Sequence, residues 1–160
     1  MVFNELLKRV SKKCGQFILG TVRYGCIIHV VLEHLGDFVI CSGPSMEPTL
    51  FTNDTILTEH VSPKLNNIKK GDIVVARSPT NPKQFICKRV TGVEGDKMCP
   101  GFISQVVVPR GHVWLEGDNR NNSSDSRNYG PVPVGLLRGR VLCIIWPFSH
   151  LALLTEHNEA

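Results

Sequence analysis

The sequence predicts a mainly β protein, a folded β-sheet or barrel preceded by one basic N-terminal helix. Three observations carry that expectation. No long helical period appears after residue 50. Short runs rich in β-branched and aromatic residues recur from there to residue 147, which is the pattern of strands. Glycine or proline punctuates them at Gly71, Pro79, Pro82, Gly95, Gly111, Gly117 and Gly130. With 160 residues, 42% of them apolar and 20% charged, the chain is large enough for one domain with a real core.

The helix comes first. Phe3, Leu6, Leu7, Val10, Cys14, Phe17 and Ile18 recur at i, i+3, i+4, i+7 spacing, while Lys8, Arg9, Lys12 and Lys13 take the opposite face. Up to Arg23 there are five cations against one anion, Glu5. A basic amphipathic helix of this kind suits a membrane interface or a mitochondrial targeting segment; a surface helix docked on a core is the plainer alternative. The run "YGCIIHVVL" that follows holds only nine uncharged residues between Arg23 and Glu33, well short of the roughly 20 apolar residues a spanning helix needs. Residues 1–41 are therefore read as a basic amphipathic or membrane-anchor region, 42–150 as the β-rich domain and 151–160 as a tail. The strand candidates of that domain are "DTILTE", "GDIVVARSP", "QFICKRVTGV", "QVVVPRG", "HVWLEGD" and "RVLCIIWP".

Charge and cysteines exclude more than they assert. A net charge of +4 with no aromatic and basic interleaving does not call for a nucleic-acid partner. The N-terminal cations fit an anionic membrane surface instead. The six cysteines, Cys14, Cys26, Cys41, Cys87, Cys99 and Cys143, include no C-x-x-C and no zinc spacing. No metal or cofactor is expected, and the cysteines read as mostly small buried hydrophobes.

Chemistry is concentrated in three places. If "QFICKRVTG" is a strand, Phe85, Cys87 and Arg89 share one face while Ile86, Lys88 and Val90 share the other. Lys88 then lies between two apolar residues, and burial lowers an amine's pKa. From about 10.4, a base useful near neutral pH needs a drop of roughly 2 to 3 units. The second place is "SGPSMEP". Gly43 permits unusual φ. Pro44 fixes its own φ and leaves the Ser45 N–H free to meet a substrate oxygen. Ser42 is the competing serine, but it precedes the rigid Gly-Pro unit. The third is "EGDNRNNSSDSRNYGPVP", residues 116–133. Asp125 and Arg127 are spaced i, i+2, on one face if extended, and an ion pair there would stiffen the segment. Ser123, two residues earlier, could then orient a buried amine.

Together "SGPSMEPTL", "GDIVV", "CKRVTGVEGD" and "EGDNRNNSSDSRNYGPVP" resemble the Ser/Lys signal peptidase family, in the family's own order and over nearly everything from Cys41 to Pro147. The short length, the absence of a large insert and the "GPSM" core are most similar to subunit 1 of the mitochondrial inner membrane peptidases, and the intact "DSR" favours that branch over subunit 2. The resemblance implies a signal-peptidase-like sheet. It implies Ser45 as nucleophile, neutral Lys88 as general base, Ser123 orienting the amine, Asp125 and Arg127 bracing the segment, and Met46 shaping the substrate pocket. It also implies a membrane-bound endopeptidase that removes presequences from precursor proteins at the mitochondrial inner membrane, facing the intermembrane space, as a heterodimer with subunit 2. One departure stands out. Many bacterial members have a serine two positions before the nucleophile as an oxyanion donor, and here that position is Gly43.

Three rivals define what must be tested. One is a bacterial-type signal peptidase I at a plasma membrane. Another is a non-catalytic peptide-binding or partner subunit. The third is a histidine-based hydrolase using His112.

Overall fold

In the computed structural model the described residues are 2–34, 36–99 and 105–154. The chain divides into two compact units, Met1–Leu35 and Gly36–Ala160.

The first unit is a single helix, α1 (Val2–His34), twice the length of the expected stripe. The side chains of Phe3, Leu6, Leu7, Val10 and Cys14, and of Lys8, Arg9 and Lys12, lie outside the described residues. Farther along, Phe17, Ile18, Val22, Ile27 and Ile28 are exposed. Among the described residues no helix is long and apolar enough to cross a membrane. That agrees with the short uncharged run between Arg23 and Glu33.

The second unit is the β domain. Its elements are β1 (Gly36–Ile40), β2 (Thr55–Glu59), the one-turn α2 (Val61–Lys64), β3 (Ile73–Arg77), β4 (Phe85–Gly92), β5 (Lys97–Met98), β6 (Val106–Val107), β7 (His112–Glu116), the short α3 (Ser126–Tyr129), β8 (Val132–Pro133), β9 (Leu137–Trp146) and β10 (Ala152–Leu153). One sheet runs β1-β2-β9-β3-β4-β7-β8 with β10 on β9, and β5 and β6 pair separately. Every pairing is antiparallel. Among the described residues nothing joins β1 to β8, so the sheet is open and the barrel alternative does not form.

Both faces of the sheet are covered. Ile73 and Val75 enter one apolar cluster with Cys41, Met46, Leu50, Ile56, Val141 and Ile144. Val74 and Ala76 enter the other with Val90, Val113, Leu115, Val132 and Leu137. That is why "IVVA" reads as a continuous apolar run. A central strand buried on both sides has no polar face to alternate with.

Two expectations are corrected here. The compact unit begins at Gly36, not at residue 42, because Gly36–Ile40 pairs residue for residue with β2 and Val39 packs into the first cluster. Likewise β10 lies beyond the expected end at 150, and residues 155–160 of the expected tail lie outside the described residues. The cysteines are the second case. All those described are free, but Cys41 alone is buried; Cys87 and Cys143 are half-buried, and Cys26 and Cys99 are exposed. Cys26 lies on α1 and Cys99 follows the two-residue β5, where there is little packed surface to cover them.

Leu115 is fully buried in the second cluster. Leu115→Ala should lower the unfolding free energy by about 2 to 5 kcal/mol, read as a lower urea midpoint at unchanged slope.

Candidate active site

The loop between β1 and β2 carries Ser45. Its ends are closed by Cys41 N–H to Asp54 O at 2.8 Å and Asn53 N–H to Cys41 O at 2.9 Å. Gly43 has φ of 91°, a left-handed conformation that favours glycine. After Pro44 the chain turns, with Glu47 N–H donating to Pro44 O at 3.2 Å and Leu50 N–H to Met46 O at 3.0 Å. Met46 and Leu50 are buried in the first cluster and anchor the loop, leaving Ser45 half-buried between them and the Gly-Pro unit.

A second segment grips this loop from outside. Asn119 N–H donates to Ser45 O at 3.1 Å, and Asn119 Nδ2 donates to Pro44 O at 3.1 Å. The preceding residue, Asp118, accepts from Thr49 Oγ1 at 2.5 Å. It also accepts a two-pronged contact from Arg89, Nε to Oδ1 at 2.8 Å and Nη2 to Oδ2 at 2.7 Å. Burial works against the Asp118 charge, yet the bonds from Arg89 and Thr49 outweigh it and hold its carboxyl below the usual range. Gly117 completes the fit. A Cβ there would overlap Ser123 Oγ and the Ser45 carbonyl oxygen.

Lys88 sits on β4 as the alternation requires. It is 4% exposed, with Val90 fully buried on the same face and Val74 directly across on β3. Burial pushes the Lys88 amine below its ordinary value, and the neighbouring Asp125 carboxylate pulls the other way without reversing it. Arg89 points to the opposite face and reaches Asp118. One strand therefore delivers the buried amine to one side and the clamp to the other.

Asp125 and Arg127 do pair, but by a different geometry from an extended i, i+2 face. Residues 126–129 form α3, and Asp125 is its N-cap, accepting from Arg127 N–H at 3.2 Å. The Arg127 side chain returns to the same carboxylate, Nε to Oδ1 at 2.9 Å and Nη2 to Oδ2 at 2.7 Å. A cap carboxylate satisfies the orphan N–H groups of a helix start, which an extended segment lacks. Gly117 N–H at 3.0 Å and Ser123 Oγ at 2.7 Å donate to Asp125 Oδ2 as well. Burial opposes the charge, and these donors overcome it, bringing Asp125 down to about 2.

These pieces surround one open cleft of about 430 Å³, lined by Ser42, Ser45, Met46, Ile86, Lys88 and Ser124 among others. The structure thus brings Ser45, Met46 and Lys88 together, with Asp125 close enough to act on the amine. The Ser123 hydroxyl is committed as a donor to Asp125. Ser124 at the cleft and the Asn119, Asp118, Arg89 and Thr49 grip are not visible from sequence spacing. The one available signal was an acidic residue just past the end of β7, facing an arginine on the neighbouring β4. The histidine alternative loses its geometry. His112 Nδ1 pairs with Arg110 O at 3.0 Å, and His112 lines a different cavity. Among the described residues no group of three or more His, Cys, Asp or Glu is placed to hold a metal ion.

Residues 14–102 and 98–146 match the family described as signal peptidase, peptidase S26. The chain is 49% identical to mitochondrial inner membrane protease subunit 1 of Mus musculus, over 94% of this chain and 94% of that protein. It is 44% identical to mitochondrial ATP-independent inner membrane protease subunit 1b of Arabidopsis thaliana, over 92% of this chain and 90% of that one. Mitochondrial inner membrane protease subunit 2 of Schizosaccharomyces pombe is 37% identical, over 91% of this chain and 86% of its own.

The depressed Asp125 makes stability pH-dependent. Its contribution is complete above the unfolded value of 3.8 and is lost as pH falls through about 2, amounting to roughly 2 kcal/mol. Denaturant titrations across that window should show this loss in the wild type and a flatter profile in Asp125→Asn.

Proposed function

The chain belongs to the signal peptidase family, peptidase S26, and from that premise we propose that it is a Ser/Lys endopeptidase removing presequences from precursor proteins at the mitochondrial inner membrane. The observation that carries the mechanism is that Ser45 and a 4%-exposed Lys88 line the same cleft. The names of the relatives support the location and a two-subunit assembly with a subunit 2. The exposed apolar residues of α1 support attachment of the chain to the membrane; in this reading the β domain lies in the intermembrane space.

In this mechanism Ser45 Oγ attacks the scissile carbonyl as neutral Lys88 takes its proton. Lys88 then delivers that proton to the departing amine. The lowering of the Lys88 pKa by burial acts in the direction that favours the neutral amine. Ser123, its own proton committed to Asp125, meets Lys88 as an acceptor. The amine then spends an N–H on Ser123 and keeps its lone pair for Ser45. Met46, packed under the cleft, shapes the pocket for the substrate side chain.

Asn119 enters the mechanism through the peptide plane. The Pro44 carbonyl and the Ser45 N–H belong to one planar trans amide. Holding Pro44 O from one side therefore sets the direction of the Ser45 N–H on the other. That N–H is an oxyanion donor in a loop that has Gly43 where many bacterial members of the family have a serine. A donor of this kind is worth about 2.7 to 4 kcal/mol in the transition state.

Cleavage of a presequence-bearing precursor by detergent-solubilised protein, run from about pH 6 to about pH 10, tests the dyad. Wild type should gain activity with rising pH, with a midpoint below the ordinary 10.5 of lysine. Ser45→Ala and Lys88→Met should each lose a factor on the order of 10⁴ or more with unchanged circular dichroism. Full activity in Lys88→Met would overturn the mechanism. Silence of the wild type alone and with subunit 2, with peptide still bound, would favour a binding subunit. Asn119→Ala should lower kcat roughly 10- to 100-fold while leaving KM nearly unchanged, the signature of an interaction made in the transition state.

A further inference from the structure

We propose that Cys41 and Cys87 are a redox-active thiol pair, which closes to a disulfide within the cleft and thereby slows cleavage. The mechanism above uses neither residue. Cys41 ends the approach from β1 and lies four residues before Ser45; Cys87 lies on β4 next to Lys88. The chain separates them widely, yet they belong to the same apolar cluster and line the same cleft as Ser45 and Lys88. Each thiol acts on the titration of the other.

The pair is asymmetric. The neighbouring Cys87 pushes the Cys41 thiol down, while Cys41 and burial push Cys87 well up. The thiolate is the nucleophile; the exchange opens at one sulfur, Cys41 in the order that follows, and the other resolves it, the reverse order balancing identically. The oxidant is a low-molecular-weight disulfide, RSSR, reaching the sulfurs through the open cleft. The Cys41 thiolate attacks one sulfur of RSSR and expels RS⁻. Cys87 then gives up its proton and attacks Cys41 Sγ in the mixed disulfide, expelling the second RS⁻. The two protons lost by the cysteines convert both to RSH. The cysteines lose two electrons and RSSR gains them.

The bond has a mechanical result. Bonded sulfurs lie about 2.0 Å apart, nearer than any hydrogen-bonded thiols. Closure therefore draws the start of the Ser45 loop toward the strand that carries Lys88. Displacement of a reacting group by about 1 Å can cost on the order of 100-fold. The effect on cleavage rests on the peptidase reading above; the bond itself does not.

The test uses the full chain in detergent, equilibrated with oxidised glutathione, quenched in acid, alkylated, digested and mapped by mass spectrometry. A peptide joining residues 41 and 87 is expected. It should disappear with dithiothreitol and be missing from Cys41→Ser and Cys87→Ser. Cleavage by the oxidised wild type should fall at least roughly tenfold and return on reduction. The ratio of oxidised to reduced rates in each serine variant should stay near one. Two thiols still open to alkylation, or Cys41 and Cys87 recovered only as separate glutathione adducts, would overturn the pair. A cross-link that leaves the rate unchanged would overturn the switch. Absence of cleavage by reduced wild type would sink the peptidase reading, while the peptide map would still decide the pair.

Discussion

The Asp118 carboxylate is the joint on which the rest of this site depends. Arg89 reaches it from β4, Thr49 reaches it from the Ser45 loop, and Asp118 itself opens the segment that carries Asn119, Ser123 and Asp125. Three stretches distant in sequence are thus fixed to one pair of oxygens. An ion pair of this kind stabilises little in net terms, because both groups give up water to make it. Its two-pronged geometry nonetheless admits one alignment. Since Arg89 and Lys88 are neighbours on one strand, whatever sets Arg89 also sets the strand that presents the amine.

The electrostatics follow the same economy of position. A neutral amine beside a carboxylate is an unstable arrangement, because the carboxylate favours the ammonium. Asp125 does pull Lys88 toward the ammonium, but burial outweighs that pull. Arg127, Gly117 N–H and Ser123 all donate to Asp125. The Arg127 charge itself acts on Lys88 in the direction opposite to Asp125. The amine therefore faces a carboxylate shared among several donors, and burial is the larger influence, pushing the Lys88 pKa down.

What could be read from the sequence was what repeats locally. Period-two alternation put Lys88 and Val90 on one face of β4 and Arg89 on the other, and "GDIVVARSP" was legible as a strand. The rigid Gly-Pro unit singled out Ser45 from Ser42. Asp125 and Arg127 were legible as a pair but not as a helix cap, because a four-residue helix leaves no periodicity to detect. β1 was missed for a related reason. Five residues between a long helix and a Pro-Gly loop read as a continuation of either neighbour until β2 is known to pair with them. β5 and β6, at two residues each, are shorter than any pattern. The Asn119 contact to Pro44 spans 75 residues and the Asp118 contact to Thr49 spans 69, distances at which spacing carries no information.

Gly117 shows where this arrangement has no tolerance. Its missing side chain is the space in which the Ser45 carbonyl and the Ser123 hydroxyl come together, so the Ser45 loop and the segment carrying Asp125 touch through the absence of an atom. Side chains that do chemistry often have chemically similar stand-ins. A hydrogen on the Gly117 α-carbon has none, since the next larger substituent is already a methyl group. The position with least room for substitution at this site is therefore one with no functional group, because any side chain there must displace the Ser45 carbonyl or Ser123.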